Sequence, residues 1–89
     1  MKKMFRYRIY TEDRNYWAIM KKAQELFDGF TVYVTHGFWE EVKENSLVIE
    51  YLRYNNGLNL VIEFSQWLKD YNGQKSIMIT SEEVDTEFV

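Results

Sequence analysis

Two arginines, a tyrosine and a glutamate lie in strand-like runs where they could bind an anionic or planar ligand. Arg6 and Arg8 alternate with apolar residues in one run, and Tyr33 and Glu50 belong to two others. Guanidinium groups bind phosphate and carboxylate, and a tyrosine ring can stack on a base. In an antiparallel sheet, the same arginines can instead pair with Glu50 on a neighbouring strand. The pattern favours this structural pairing over ligand binding.

A histidine and a tryptophan follow the second strand-like run. His36 is the only histidine of the chain, and an imidazole titrates near neutral pH, as a general base requires. Catalysis also needs a nucleophile or an orienting group, and none stands at a recognisable spacing from His36. We therefore predict a turn histidine and no catalytic residue. Trp39 is expected to fold back over the core, with an exposed anchor for a partner or planar ligand as the alternative.

Composition narrows the classes of function. The 89 residues indicate one domain, which we place at 1–80, followed by an acidic tail at 81–89. The absence of cysteine and the single histidine exclude disulfides and thiolate or imidazole metal clusters, and no cofactor is predicted. A net charge of −3 argues against nucleic acid as a partner. No segment is long and apolar enough to cross a membrane, and the N-terminal segment lacks the apolar core of a secretory signal, so we expect a cytoplasmic protein.

Residue periodicity predicts six elements in the order β-α-β-β-α-β. Alternation marks the strands, and apolar residues at three- and four-residue steps mark the helices. His36-Gly37 is expected to end the second strand, and 38–45 to form a polar connection. Trp17 and Trp67 are expected to cover the edges of the helices. The predicted elements are a strand over 4–10, a helix over 12–27 capped by Thr11, strands over 30–36 and 46–53, a helix over 58–71 and a strand over 76–80.

This order of elements predicts an α+β, ferredoxin-like two-layer sandwich. Two βα units that meet at a central strand pair form the split βαβ arrangement. Right-handed crossovers then place both helices on one face of a four-stranded antiparallel sheet with strand order 4-1-3-2. In this order the first and last strands are neighbours, so Lys2 and Lys3 should run beside the acidic tail.

The other face of the sheet has no covering element and mixes apolar with polar side chains. A face that only meets solvent would be almost entirely polar. Apolar residues combined with arginine and tyrosine are instead typical of an interface. We therefore predict a partner here, either a second copy or another protein, although a solvent-facing sheet with scattered apolar residues is the alternative. The residues assigned to this face are Arg6, Arg8, Thr31, Tyr33, Thr35, Val48, Glu50, Leu52, Met78 and Thr80.

A loose pattern across most of the chain resembles small ferredoxin-like αβ proteins of phages and bacterial mobile elements. It consists of a Gly-Phe-Thr-Val stretch, a Gly-x-Trp turn, a glutamate-containing strand and a glutamine near the last strand. The resemblance implies a mobile-element origin and an accessory protein that inhibits a host defence factor through protein contact. It transfers no catalytic residue. The matching positions are Gly29, Phe30, Thr31, Val32, Gly37, Trp39, Glu44, Ser46 and Gln74.

Two other hypotheses stay open. The first is a small-molecule binder, for example a nucleotide-sequestering protein, that uses Trp39, Tyr33 and the Arg6/Arg8 pair. The second is an enzyme built on His36. The main prediction remains a non-enzymatic binding protein that acts through its open sheet face, with His36 and Trp39 as additional contact residues in the loop.

Overall fold

The computed structural model describes residues 1–89 and confirms the ferredoxin-like order of elements. The four strands form one antiparallel sheet in the order β2-β3-β1-β4, which is the predicted order. The elements are β1 (Lys2–Glu12), α1 (Tyr16–Leu26), β2 (Thr31–Trp39), β3 (Val42–Arg53), α2 (Leu58–Asn72) and β4 (Met78–Thr86).

The core lies between the sheet and the two helices. Ile9 of β1 pairs with Ile49 of β3, and both are completely buried. Burial of each such side chain stabilises the fold by about 1.5–3 kcal/mol. Phe27, just after α1, stacks on Tyr51 with ring centres 4.4 Å apart and closes one end of this core. The helices contribute the buried residues Ile19, Met20, Ala23, Val61, Phe64 and Leu68.

The predicted start of α1 is wrong. Thr11 is a strand residue, because β1 continues to Glu12 and pairs Thr11 with Leu47. The helix begins only at Tyr16, after Asn15 in a left-handed conformation with φ 60°. Pairing with β3 therefore takes precedence over the capping preference of threonine. The buried Thr11 hydroxyl donates instead to Gln74 Oε1 at 2.5 Å.

β2 and β3 form a long hairpin where a polar connection was predicted. His36-Gly37 does not end the second strand, because His36 pairs with Asn45 and Gly37 with Glu44. Glu40 and Glu41 form the turn with φ of 47° and 67°. Two consecutive residues in the left-handed conformation match the twist of a two-residue hairpin, although asparagine and glycine adopt this conformation more easily. We call residues 36–45 the hairpin arm.

The predicted acidic tail is largely a strand. β4 continues to Thr86, and Val84 pairs with Met4, which is buried. The prediction that the N-terminal lysines run beside the acidic segment is confirmed, since Lys3 Nζ lies 2.6 Å from Asp85 Oδ1. Alternation of apolar and polar residues did not predict the strand beyond residue 80. Several residues of β4 after this point are charged, and at this edge strand they face solvent on both sides of the sheet.

The helical tryptophans differ in their environment. Trp67 is half-buried and stacks on Tyr71 with ring centres 4.8 Å apart, so it covers part of the helical layer as predicted. Trp17 is 81% exposed, and the prediction that it covers a helix edge is wrong. It contacts Tyr16 edge-on at a centre distance of 5.0 Å.

Candidate functional site

The open face of the sheet carries the side chains that the alternation assigned to it. Arg8 pairs with Glu50 in β3 and with Thr80 in β4, while Tyr33 pairs with Val48. Because paired residues point to the same side of a sheet, these positions share one face. Met78 joins them through its pairing with Tyr10.

A buried glutamate organises the polar part of this face. Glu50 is only 8% exposed. Its carboxylate accepts hydrogen bonds from Arg8 Nε at 3.0 Å and from the Tyr33 hydroxyl at 2.9 Å. These bonds raise the pKa of Tyr33 and of Arg8, since each favours the protonated partner. The predicted cross-strand pairing of the arginines with Glu50 is confirmed.

Arg6 is held by two carboxylates. Its Nε lies 3.1 Å from Glu82 Oε1 and 3.8 Å from Glu50 Oε1. The guanidinium lowers the pKa of Glu82 through hydrogen bonding and charge. Both arginines that could have bound a phosphate are therefore occupied. An anionic ligand would have to compete with carboxylates that are already in contact.

The apolar residues of the open face are partly covered. Val48 and Leu52 are half-buried, whereas Met78 and Tyr33 are 58% and 44% exposed. The register places all four on the predicted face. Their role in binding a partner stays a prediction.

The hairpin arm carries Trp39 away from the core. Trp39 is 73% exposed, so the prediction that it folds back over the core is wrong. The reason is the strand pairing of Trp39 with Val42, which holds it at the end of the arm. Phe38 is similarly exposed. The alternative, an exposed aromatic anchor, agrees with this geometry.

A cleft lies between the hairpin arm and the loop that joins α2 to β4. It consists of two adjoining cavities of about 420 and 610 Å³. Tyr10 and Gln74 line both cavities, His36 lines the smaller one, and Phe38 and Trp39 line the larger one. The hydrogen bond between Thr11 and Gln74 ties the loop to β1 at this point. Volumes of this size suit small-molecule ligands.

Gly37 keeps the arm side of the cleft open. It lines both cavities, and a Cβ at this position would lie 2.8 Å from Ser46 Oγ. A larger residue would therefore push the Ser46 hydroxyl aside and fill space in the cleft. Ser46 donates to Glu44 Oε1 at 3.4 Å, so these three residues form one wall.

Alternation and helical spacing did not identify this cleft, because it needs the hairpin and a distant loop together. Its signal was present in the loose pattern of the sequence. Five positions of that pattern converge on the cleft, although Gly37 and Gln74 lie far apart in the sequence. These positions are Gly37, Trp39, Glu44, Ser46 and Gln74.

No protein-family profile matches the chain, and no curated protein matches its sequence significantly. The fold is nevertheless similar to several solved structures. The GlnK–ATP complex of B. subtilis has a TM-score of 0.72 and 19% identity, covering 94% of this chain and 84% of GlnK. A DUF3240 family protein from Shewanella baltica OS155 has a TM-score of 0.68 and 11% identity, covering 100% and 98%.

A third structure is CPII from Thiomonas intermedia K12, a nitrogen regulatory PII-like protein bound to ADP, AMP and bicarbonate. Its TM-score is 0.66 at 10% identity, covering 98% of this chain and 96% of CPII. Nothing in these similarities ties the chain to phages or mobile elements. No helix of the chain is long and apolar enough to span a membrane. At these identities the comparisons show one thing, which is that the chain shares the ferredoxin-like fold of these proteins.

Proposed function

We propose that this protein binds a small molecule of the nucleotide class in the cleft between the hairpin arm and the α2–β4 loop, without catalysing a reaction. The observation that carries the proposal is the convergence of aromatic and polar side chains on that cleft. Trp39, Phe38 and Tyr10 supply rings, and Gln74 and Ser46 supply hydrogen-bonding groups. Ligand sites typically combine aromatic walls with a few polar groups.

The exposure of Trp39 supports this proposal. A large aromatic side chain that is 73% exposed keeps apolar surface in water, and stacking on a planar base would remove that surface. Base–aromatic stacking contributes about 1–3 kcal/mol per base. Structures with a similar fold have been determined with ATP and with ADP and AMP, which makes nucleotides the first ligands to test.

Binding without catalysis agrees with the surroundings of His36. His36 lines the smaller cavity and is exposed. Glu44 lines the same cavity, but its carboxylate accepts from Ser46 rather than orienting the imidazole. In nucleophile–base pairs, the catalytic histidine is typically held in position by such a third group. His36→Ala tests the hypothesis of an enzyme built on His36. Ligand binding should stay measurable in this variant. If the wild-type protein converts the ligand and the variant does not, the enzyme hypothesis is supported.

Calorimetry with a panel of nucleosides and nucleotides tests the proposed function. The wild-type protein should release heat on binding at least one nucleoside or nucleotide of the panel, and its tryptophan fluorescence should change. Trp39→Ala should weaken binding about tenfold or more, as the loss of one stacking contact predicts. Trp17→Ala is the matched control, since Trp17 is also largely exposed but lies on α1. A panel that produces neither heat nor a fluorescence change contradicts the proposal.

A second function, association with another copy of the chain, is favoured by the outer edge of β2. This edge strand, Thr31–Trp39, contains no Asp, Glu, Lys or Arg. The opposite edge, β4, carries Glu82, Glu83 and Asp85. Long uncharged edge strands are the ones that pair with another chain, and charges on an edge prevent it. A second copy meets no like charge along β2, and the adjoining open face would extend the contact.

Light scattering at increasing concentration tests this association. The wild-type chain should exceed its monomer mass of 10.9 kDa. Val34→Lys places a charge on the β2 edge and should restore the monomer, whereas Ile62→Lys on the exposed side of α2 should not. A monomer at all concentrations rejects this function. Inhibition of a host defence factor and a cytoplasmic location have no such support and stay predictions.

A further inference from the structure

We infer that the ligand of the cleft is a nucleoside or nucleoside monophosphate and that a nucleoside triphosphate binds more weakly. This inference rests on the proposed function and concerns the same cleft. It follows from the charges that surround the cleft, which are too few and of the wrong sign for a polyphosphate.

The side chains that line the cleft provide one lysine against two carboxylates. Lys75 is the only lysine or arginine in the lining, while Glu12 and Glu44 are the acidic residues. Proteins bind phosphate groups with several charged or N–H donors, and arginine is preferred because it binds in a bidentate manner. A single lysine can accompany one phosphate. It leaves the additional charges of a triphosphate without partners, and Glu44, a carboxylate of the lining that forms no ion pair, repels them.

Arginines near the cleft are already engaged. Arg14 Nε lies 2.7 Å from Glu12 Oε2, and a terminal nitrogen of Arg14 donates to the carbonyl oxygen of Asn72. Arg8 is bound to Glu50, which is buried. Turning Arg8 towards a phosphate would leave a buried carboxylate without its closest cation, which is unfavourable. Neither arginine is available without the loss of an existing ion pair.

The helix dipoles also disfavour phosphate in this cleft. Gly73 and Gln74, which line the cleft, directly follow the C-terminal end of α2. The C-terminal end of a helix carries partial negative charge, whereas anions bind at N-terminal ends. The first turns of α1 and α2 are not among the lining residues. The backbone therefore adds to the negative potential of Glu44.

What the cleft offers is suited to a base and a ribose. Phe38, Trp39 and Tyr10 provide rings for stacking, and Thr35, Ser46 and Gln74 provide uncharged donors and acceptors. Ligand pockets typically combine aromatic walls of this kind with a few uncharged polar groups. The chemical class that fits is thus a planar heterocycle with hydroxyl groups and at most one phosphate.

A phosphate series on one base tests the inference. Using the base that binds best in the panel, calorimetry without divalent cations should give at least about tenfold weaker affinity for the triphosphate than for the nucleoside or monophosphate. Glu44→Gln removes a carboxylate from the cleft wall and should raise the affinity for the triphosphate relative to that for the nucleoside, so the ratio of the two dissociation constants should fall. Glu63→Gln, an exposed carboxylate on α2 outside the cleft, is the control and should alter neither.

The results distinguish a failure of the inference from a failure of the proposed function. If the triphosphate binds as tightly as the nucleoside or more tightly, the inference is overturned and the proposed function stands. If no member of the panel binds, the proposed function fails and the inference fails with it. A rise in triphosphate affinity on addition of Mg²⁺, with nucleoside affinity unchanged, supports the inference, because the ion neutralises the charges for which the cleft has no partners.

Discussion

Glu50 controls the titration of Tyr33. The hydrogen bond from Tyr33 to Glu50 raises the pKa of the tyrosine above its value in the unfolded chain. Folded protein therefore holds this proton more tightly, and the resulting stability is present below the unfolded pKa of about 10. It is lost as pH rises through the higher folded pKa. Glu50→Gln should lower the pKa of Tyr33, measured by ultraviolet absorbance of tyrosinate, and flatten the loss of stability above pH 10. An unchanged titration would contradict this role of Glu50.

Tyr7 stabilises the loop before α2 through its buried hydroxyl. The hydroxyl accepts from the Gly57 backbone N–H at 2.9 Å and donates to Asn56 Oδ1 at 3.1 Å. Tyr7→Phe should lower the free energy of unfolding by about 1–2 kcal/mol, because the buried Gly57 N–H loses its partner. For a domain of this size, that corresponds to a fall in melting temperature of roughly 4–16 °C. Tyr54→Phe, at an exposed ring, is the control, and equal effects of the two variants would refute the argument.

At the scale of elements, the hairpin turn holds two glutamates in a backbone conformation that glutamate rarely adopts. Glu40 and Glu41 adopt left-handed φ values that asparagine and glycine adopt more readily. Replacing the pair with Asn-Gly should therefore stabilise the protein by about 0.5–1 kcal/mol in denaturant unfolding, because the left-handed conformation costs an ordinary residue roughly 1–2 kcal/mol and the entropy of an unfolded glycine offsets part of that gain. As a control, Glu25→Gly introduces a glycine at an exposed helical position and should destabilise the protein by about 1 kcal/mol. A loss of stability in the Asn-Gly variant would show that the glutamates stabilise the turn by another route.

The same hairpin shows what the sequence could and could not predict. Alternation in Phe5–Ile9 and Leu47–Tyr51 predicted which residues face the helices. The order of the elements predicted the strand order of the sheet, and the structure confirms it. Gly37 was interpreted as a break because a glycine usually weakens a strand. Cross-strand pairing overrode that local preference. The cleft could not be derived from periodicity, since it depends on how far the arm extends and on a loop at residues 73–77.

At the scale of the whole molecule, the protein is elongated, with extents of 41 × 27 × 20 Å. A ligand in the cleft would bridge the arm and the α2–β4 loop, which are far apart in sequence. Ligand that binds only the folded state adds about 2.7 kcal/mol at a concentration of 100 times its Kd. At that concentration, we therefore expect a nucleotide that binds in calorimetry to raise the melting temperature by about 10–20 °C.

Hydrogen exchange should locate that stabilisation. With ligand, amides of the arm (residues 36–45) and of the loop at 73–77 should exchange more slowly than the global increase in stability explains, because both are held by the same bound molecule. Amides in the exposed turn of α1 near Trp17 should follow the global change only. If protection instead increases along the open sheet face around Tyr33 and leaves the arm unchanged, the ligand binds at the arginine pairs rather than in the cleft. Gly37→Ala provides the independent check, since a methyl group beside Ser46 should reduce the extra protection of the arm.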